Sequence, residues 1–331
     1  HTAVKYLPVD FTGERSAYLA HSLVLTDEER REILRNPDVD CFNREMFITD
    51  VSVFKLTDRA VTSNPACPES EYYPGSILDH QVGMSAYHPD MLKSFIYSIL
   101  TAVLEGGREV YFRLPFPDAA VSDAAVDFIN GIMSVMPYTV RERLSFVSFV
   151  EETSSYPGFK LKGVGSAFSG VAAEQGVFYD FSTGIVTGVT PGTERGVMIS
   201  SFLYSLYEHN NIRVAFHEFV KRIEEKYDTL TIDIKTLKEI TFLYWQCCGF
   251  YVEDSVLPGD DAICRLFDIY ESYRNGLIED HRVQVYRCLS RYSDAQIAIP
   301  DSVFSRLSRL YPTECVEAKA VALDVLLNLI H

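Results

Sequence analysis

The chain has 331 residues, 47% hydrophobic and 23% charged, a globular composition that excludes disorder, a collagen-like chain or a coiled-coil rod as a whole-chain description. Lys and Arg number 30 against 46 Asp and Glu, a formal net charge of −16. Nucleic-acid affinity comes mostly from neutralising phosphates and anionic membranes attract basic segments, so neither is an expected partner. No apolar run approaches the roughly 20 residues of a membrane span, and no charged-then-apolar signal opens the chain.

In chain order, Ser16 to Leu25 reads as a mostly buried strand. Thr26-Asp-Glu-Glu29 follows with the spacing of a capping box. The short helix it starts is expected to end at Asn36-Pro37, since the residue before proline avoids helical angles. Residues 47–57 alternate like a strand, and residues 60–76, with three prolines, read as a surface loop. Asp90 to Glu105 is an amphipathic helix stopped by Gly106-Gly107. Glu109–Leu114 is a strand, Ser122–Met136 a helix closed by Pro137, Thr139–Leu144 a further helical turn and Ser145–Val150 an apolar strand. Helix–strand–helix–strand order points to parallel pairing. Phe159–Val164 and a hairpin within Gly176–Val189, turning at Ser182-Thr183-Gly184, complete this part.

Beyond residue 195 the pattern is helical: segments near 197–209, 211–226, 233–248, 260–274, 279–292, 301–310 and 313–330 are separated by Asn, Gly and Pro breakers. The expected architecture is an α/β (or α+β) domain with a mixed sheet over residues 1–195, then an all-α domain over 196–331. Short loops leave a bundle and a short solenoid of helix pairs equally open.

No motif names a reaction. Gly163-Val-Gly165-Ser-Ala-Phe-Ser-Gly170 is glycine-rich but lacks the Lys and the following helix of a phosphate loop. There is no Gly-x-Ser-x-Gly elbow and no His-Glu-x-x-His. His80 and His88 share a segment with Asp79 and Asp90, which reads as a polar loop leading into a helix capped by Asp90. No metal and no cofactor is expected. The seven cysteines show no C-x-x-C spacing and read as reduced thiols of a cytoplasmic protein. The 20 tyrosines are mostly packing residues, with Tyr72-Tyr73, Tyr204/Tyr207 and Tyr270/Tyr273 as candidates for exposed contact residues.

The most suggestive stretch is Asp10-Phe-Thr-Gly-Glu-Arg15-Ser-Ala-Tyr-Leu-Ala-His21, where Asp10, Arg15 and His21 frame a strand mouth suited to an anion or a partner's side chain. A satisfied core histidine is the plain structural reading of His21. Together with the run Pro137-Tyr-Thr-Val-Arg-Glu-Arg143-Leu-Ser-Phe146, this stretch resembles the N-terminal domain of the bacterial GTPase-associated protein family, in its second type. The resemblance covers roughly residues 5–190, with the family's helical middle region expected to follow. Gly-Glu-Arg stands where the family has Gly-Arg, and Ser-Ala-Tyr where it has a Gly-Asn-Phe type of sequence. The family also begins with another strand-rich segment, and a chain starting at His1 fits a fragment of a longer protein.

The resemblance implies a protein acting beside a separate GTPase in a bacterial system of the conflict or defence kind, without binding the nucleotide itself. It places Asp10, Arg15 and His21 on the first motif and Arg143, Ser145 and Phe146 on the second. The expected function is a non-catalytic adaptor with a protein partner, in the first place a GTPase. The alternative is a hydrolase with a site at the strand ends, in which His21 is the general base or a ligand and Asp10 or Asp79 orients it. A plain structural reading of Arg143 is pairing with the C-terminal dipole of its helix.

Overall fold

The computed structural model describes residues 2–7, 17–22, 26–35, 39–40, 56–57, 60–61, 75–76, 87–172, 174–188, 193–227, 230–248, 260–294 and 299–330. Strands β1 (Thr2–Leu7) and β2 (Ala17–Ser22) pair antiparallel, with Ala3 opposite His21. Helix α1 (Asp27–Arg35) begins directly after Thr26 and stops before Asn36-Pro37, as the breaker predicts. Two minimal ladders follow: β3 (Val39–Asp40), and β4 (Leu56–Thr57) with β5 (Ala60–Val61); β6 (Gly75–Ser76) closes on β3. Residues 47–55 and most of the 60–76 loop lie outside the described residues.

The main sheet is built after α2 (Pro89–Leu104). That helix is capped by His88, whose Nδ1 accepts from the Asp90 N–H at 3.3 Å; Asp90 sits in the first turn and pairs with Lys93. The expectation that Asp90 is the cap is corrected by one turn of logic: Pro89 takes the first helical position, where its missing N–H costs nothing, so the cap is the residue before it. Gly106 adopts a left-handed φ of +67° and ends the helix, while the N–H groups of Glu105 and Gly107 both donate to the Thr101 carbonyl.

Then come β7 (Glu109–Arg113), α3 (Asp118–Val135), α4 (Tyr138–Arg143), β8 (Phe146–Val150), β9 (Leu161–Val164), β10 (Gly176–Asp180) and β11 (Ile185–Thr187). Helix α3 starts earlier than periodicity indicates because Pro117 stands at its N-cap. The sheet order is β11-β10-β7-β9-β8. The four strands β10, β7, β9 and β8 run parallel, and β11 returns antiparallel through the turn that Gly184 permits at φ +74°. The sheet is therefore mixed.

Both helices cover one face, α2 over β7 and β10 and α3 over β8 and β9. Phe95, fully buried, meets Phe112, Phe128, Tyr179 and Phe181 at ring-centroid distances of 5.7, 5.4, 5.1 and 5.4 Å, mostly edge-to-face. On the opposite face a smaller cluster of Tyr111, Val150, Val164, Phe168 and Phe178 lies under the segments that follow β8 and β9. A parallel sheet buries both faces, and here irregular chain serves as the second layer.

The helical half contains α5 (Thr193–Glu208), α6 (Asn210–Lys226), α7 (Ile234–Cys248), α8 (Asp260–Tyr273), α9 (Glu279–Asp294), α10 (Asp301–Leu310) and α11 (Val316–Ile330). Helix α7 packs on α9 and α9 on α11, while α8 packs on α10. Alternate helices thus form two rows, the packing of stacked helix pairs. Helix α5 lies on α2 and α3, so the apolar core runs unbroken from Leu92 to Val325, and residue 195 falls in the first turn of α5.

Two tyrosine pairs expected at the surface are core residues instead. Tyr207, Tyr270 and Tyr273 are buried, and Tyr204 is half-buried with Lys93 over its ring. Helical spacing of three residues puts both rings of each pair on the apolar face. Tyr72 and Tyr73 lie outside the described residues. Cys247, Cys248, Cys264, Cys288 and Cys315 are all free thiols, and burial pushes Cys247 well up.

Candidate functional site

Asp10 and Arg15 lie outside the described residues. His21 is the next-to-last residue of β2, paired with Ala3 of β1. Arg143 is the last residue of α4, exposed, with no ion pair among the described residues. The neighbouring arginine behaves oppositely. Arg141 is 3% exposed, and its guanidinium donates to the Arg35 carbonyl at 3.3 Å. Ser145 spends its hydroxyl on the loop before β9, accepting from the Lys160 N–H at 3.1 Å.

A charged cleft of about 880 Å³ lies between α1 and α6, and α4 packs on α1. Helix α1 presents Asp27, Glu28, Arg31, Glu32 and Arg35, the spacing of one helical face. Helix α6 presents Val214, His217, Glu218, Lys221 and Glu225 in the same way. Arg35 closes one end, pairing with Glu225 at 3.6 Å and lying over the Tyr138 ring. Arg30 pairs with Glu142 of α4 at 3.0 Å. Thr139 donates to Glu224, whose carboxyl is pushed above the usual range by burial in spite of that bond and of Arg141 and Arg35.

His217 is the chemically distinct member. Its side chain lines the cleft although the residue is only 6% exposed. Nε2 lies 2.9 Å from the Ser134 carbonyl. A carbonyl only accepts, so Nε2 carries the proton and Nδ1 is the lone-pair nitrogen. Burial first, then Arg141 and Arg213, hold the ring well below the ordinary histidine range, against the Ser134 bond. This histidine is neutral when folded and protonates more readily when unfolded. Its contribution is therefore fully present above about pH 6.5 and is lost as the pH falls below that value. For as long as the folded ring stays neutral, each pH unit below that point costs about 1.4 kcal/mol. His281 shifts in the same direction by burial. The expected result is a melting temperature that falls between pH 7.5 and 5.5, and a His217→Gln variant in which that fall is reduced. Equal pH slopes in calorimetry would reject the assignment.

In sheets of this kind ligands are expected beyond the C-terminal ends of the parallel strands. Here that position holds an internal clamp. Arg113, ending β7, pairs with Asp180, ending β10, at 2.9 Å; it also donates to the carbonyls of Gly165 (3.2 Å) and Phe168. Burial opposes ionisation of Asp180, but hydrogen bonds from Ser182 and Thr183 and the charge of Arg113 outweigh it, and its carboxyl stays below the usual range. The Gly163–Gly170 run is thus β9 and a loop tied down by Arg113, with no helix following that would complete a phosphate cradle. His88 is spent as a helix cap, and His80 and Asp79 lie outside the described residues. Among the described residues no three His, Cys, Asp or Glu side chains are grouped to hold a metal ion, and no helix is long and apolar enough to cross a membrane.

Residues 78–181 match the family model described as GTPase-associated protein 1, middle domain. The match spans α2 through β10 and covers under a third of the chain. It supports a GTPase-associated family for the segment that carries the Arg141-Glu-Arg143 motif. The matched description is of a middle domain and of protein 1, whereas the resemblance read from the motifs is to an N-terminal domain of the second type; the match bears on the family and not on the type. No curated protein and no solved structure matches the chain.

Proposed function

We propose that this protein is a non-catalytic cytoplasmic accessory that acts beside a separate GTPase in a bacterial conflict or defence system. The observation that carries the reading is the match of residues 78–181 to a GTPase-associated domain. The net charge of −16 supports a basic partner surface, because complementary fields raise association rates. In this reading residues 1–195 and 196–331 are two domains that share the core described above, and Asp10, Arg15, His21 and Arg143 are binding positions taken from the family resemblance. The test is recovery of partners from the native host's lysate with a GTP analogue or GDP added, identified by mass spectrometry. Nucleotide-dependent recovery of a GTPase is the expected result; repeated recovery of none rejects it.

Arg143 gives a sharper version. It is exposed and makes no ion pair among the described residues, so Arg143→Ala is expected to change stability by less than about 0.5 kcal/mol. Its expected effect is reduced partner recovery at unchanged melting temperature. Undiminished recovery removes Arg143 from the binding surface.

A further inference from the structure

Helix α11 is apolar on two opposite faces. Its buried positions are Ala318, Ala322 and Val325, and it packs on α9. Half a turn away Val316, Leu323 and Leu327 are 76%, 49% and 50% exposed, and Ala320 between them is exposed too. Among the described residues no other helix carries more than one exposed large hydrophobic residue. A surface helix ordinarily turns a polar face to water, and one that is apolar all round is covered all round. The exposed residues follow one another at intervals of four, three and four, the d-a-d-a spacing of a coiled-coil seam. The stripe runs about 16 Å along the helix at 1.5 Å per residue.

The charges beside the stripe select what covers it. Glu317 and Asp324, both exposed, occupy the e positions along one flank, and Lys319 occupies the g position on the other. None of the three makes an ion pair among the described residues. Lys319 has three N–H groups; one donates to the Pro312 carbonyl at 3.1 Å, and the ammonium lies 5.9 Å from the centre of the Tyr311 ring. When two copies of such a helix lie parallel, each g position faces the e position five residues further along the other chain. Lys319 then meets Asp324 of the second copy, twice by the two-fold symmetry. In the antiparallel arrangement e faces e, and Glu317 comes against Asp324, a like-charge contact that disfavours it.

We propose that α11 is a self-association surface. Two copies of the chain pack α11 against α11 in parallel, with Val316, Ala320, Leu323 and Leu327 in the seam and Lys319 paired with Asp324 across it. The helix is already folded on α9, so the pairing does not have to nucleate it. About three turns bury less than the roughly 1,200 Å² of a stable interface, so the expected dimer is weak, with a dissociation constant of about 10–100 µM. The proposal goes beyond the accessory reading and does not depend on a GTPase partner.

The test is sedimentation velocity of the full chain over about 1–200 µM at 0.15 M salt, where repulsion between two chains of net charge −16 is screened beyond about 8 Å. A monomer–dimer equilibrium is the expected result. Leu323→Gln with Leu327→Gln alters half-exposed residues, so the fold should be kept, which the melting temperature checks, and the chain should stay monomeric throughout the range. Lys319→Glu sets acid against acid and Asp324→Lys sets ammonium against ammonium, so each alone should weaken the dimer about tenfold. Mixed in equal amounts, the two variants should recover it as a heterodimer, because each supplies the charge the other lacks. These charge variants read the interface even where the leucine variant fails to fold. A monomer at every concentration overturns the proposal and leaves the stripe to a different protein. A dimer that survives the leucine variant overturns it too, since the contact then lies elsewhere. So does a dimer that the leucine variant abolishes but both charge variants leave at parental strength, since the two helices are then not paired in parallel.

Discussion

Alanine at Gly163 is expected to disrupt the edge of the sheet and destabilise the protein by about 3 kcal/mol or more, at the upper end of overpacking effects. A Cβ built at Gly163 lies 2.2 Å from the Ser148 carbonyl oxygen and 2.9 Å from its carbon. Both are backbone atoms, so no side chain can swing away. The cause is visible in the pairing: the β8–β9 register is irregular between Val147 and Val150, and the Ser148 carbonyl is pressed toward β9. The Cζ of Phe112 at 3.3 Å blocks retreat into the core. Gly184 is the matched control. Its φ of +74° strains alanine, but nothing lies within 4 Å of its Cβ, and Gly184→Ala should cost only about 1 kcal/mol. Urea unfolding of the two variants measures the difference. A Gly163→Ala protein within about 0.5 kcal/mol of the parent would show that β8 is free to shift.

Removing the carboxylate of Glu109 should cost about 3–5 kcal/mol. Lys162, in the middle of β9, has a side chain with no exposed surface, and its Nζ lies 2.8 Å from Glu109 Oε2. The same ammonium donates to the carbonyls of Ser155 at 3.1 Å and Thr153 at 3.5 Å, pinning the segment after β8 over the sheet. The Tyr111 hydroxyl donates to the same Glu109 oxygen at 2.6 Å, and its ring lies 5.4 Å from the ammonium. Burial of the Tyr111 phenol and its bond to Glu109 push its ionisation well above the usual tyrosine range, so it remains a donor at physiological pH. Glu109→Ala strands a buried positive charge. Glu109→Ala combined with Lys162→Met removes both charges, keeps the chain's length in the cavity and should recover most of the loss, because apolar replacement of a buried pair is often neutral. A double-mutant cycle in urea reads the coupling. If the single variant costs under about 1 kcal/mol, the ammonium reaches water and the pinning account is wrong.

The local elements were legible in the sequence because their causes are local. Apolar positions 91, 92, 95, 96, 99 and 100 define the buried face of α2, and Gly106 ends it. Asn36-Pro37, Pro137 and Pro300 sit at helix boundaries in the structure as they do in the pattern. The hairpin of β10 and β11 turns at the predicted Ser182-Thr183-Gly184. Parallel pairing followed from element order, since a strand separated from the next by a helix cannot return antiparallel by a tight turn.

The candidate site was only partly legible. Periodicity says which face of an element is apolar; it does not say what covers the other face. Of the two arginines in Arg141-Glu-Arg143, the family resemblance selected Arg143, yet Arg141 is the buried one, because the six-residue α4 turns it toward α1. His217 carried no local signal at all: the carbonyl that fixes its tautomer is 83 residues away, and the α1 residues that line the cleft with it lie nearly two hundred residues earlier. Tyr270 and Tyr273 looked like surface residues, yet both are buried, Tyr270 against Tyr286 of α9 and Tyr273 against Tyr227 with its hydroxyl on Glu239 of α7. The amino-acid sequence by itself determined the elements, their ends, the acidic surface and the absence of a nucleotide-loop motif, all of which depend on residues a few positions apart. The tertiary structure alone decided that a single core joins the two halves, that helices cover one sheet face and loops the other, and that α1 and α6 enclose a cleft. Those facts rest on contacts between residues far apart in the chain, where burial is a property of the whole fold and not of any window of sequence.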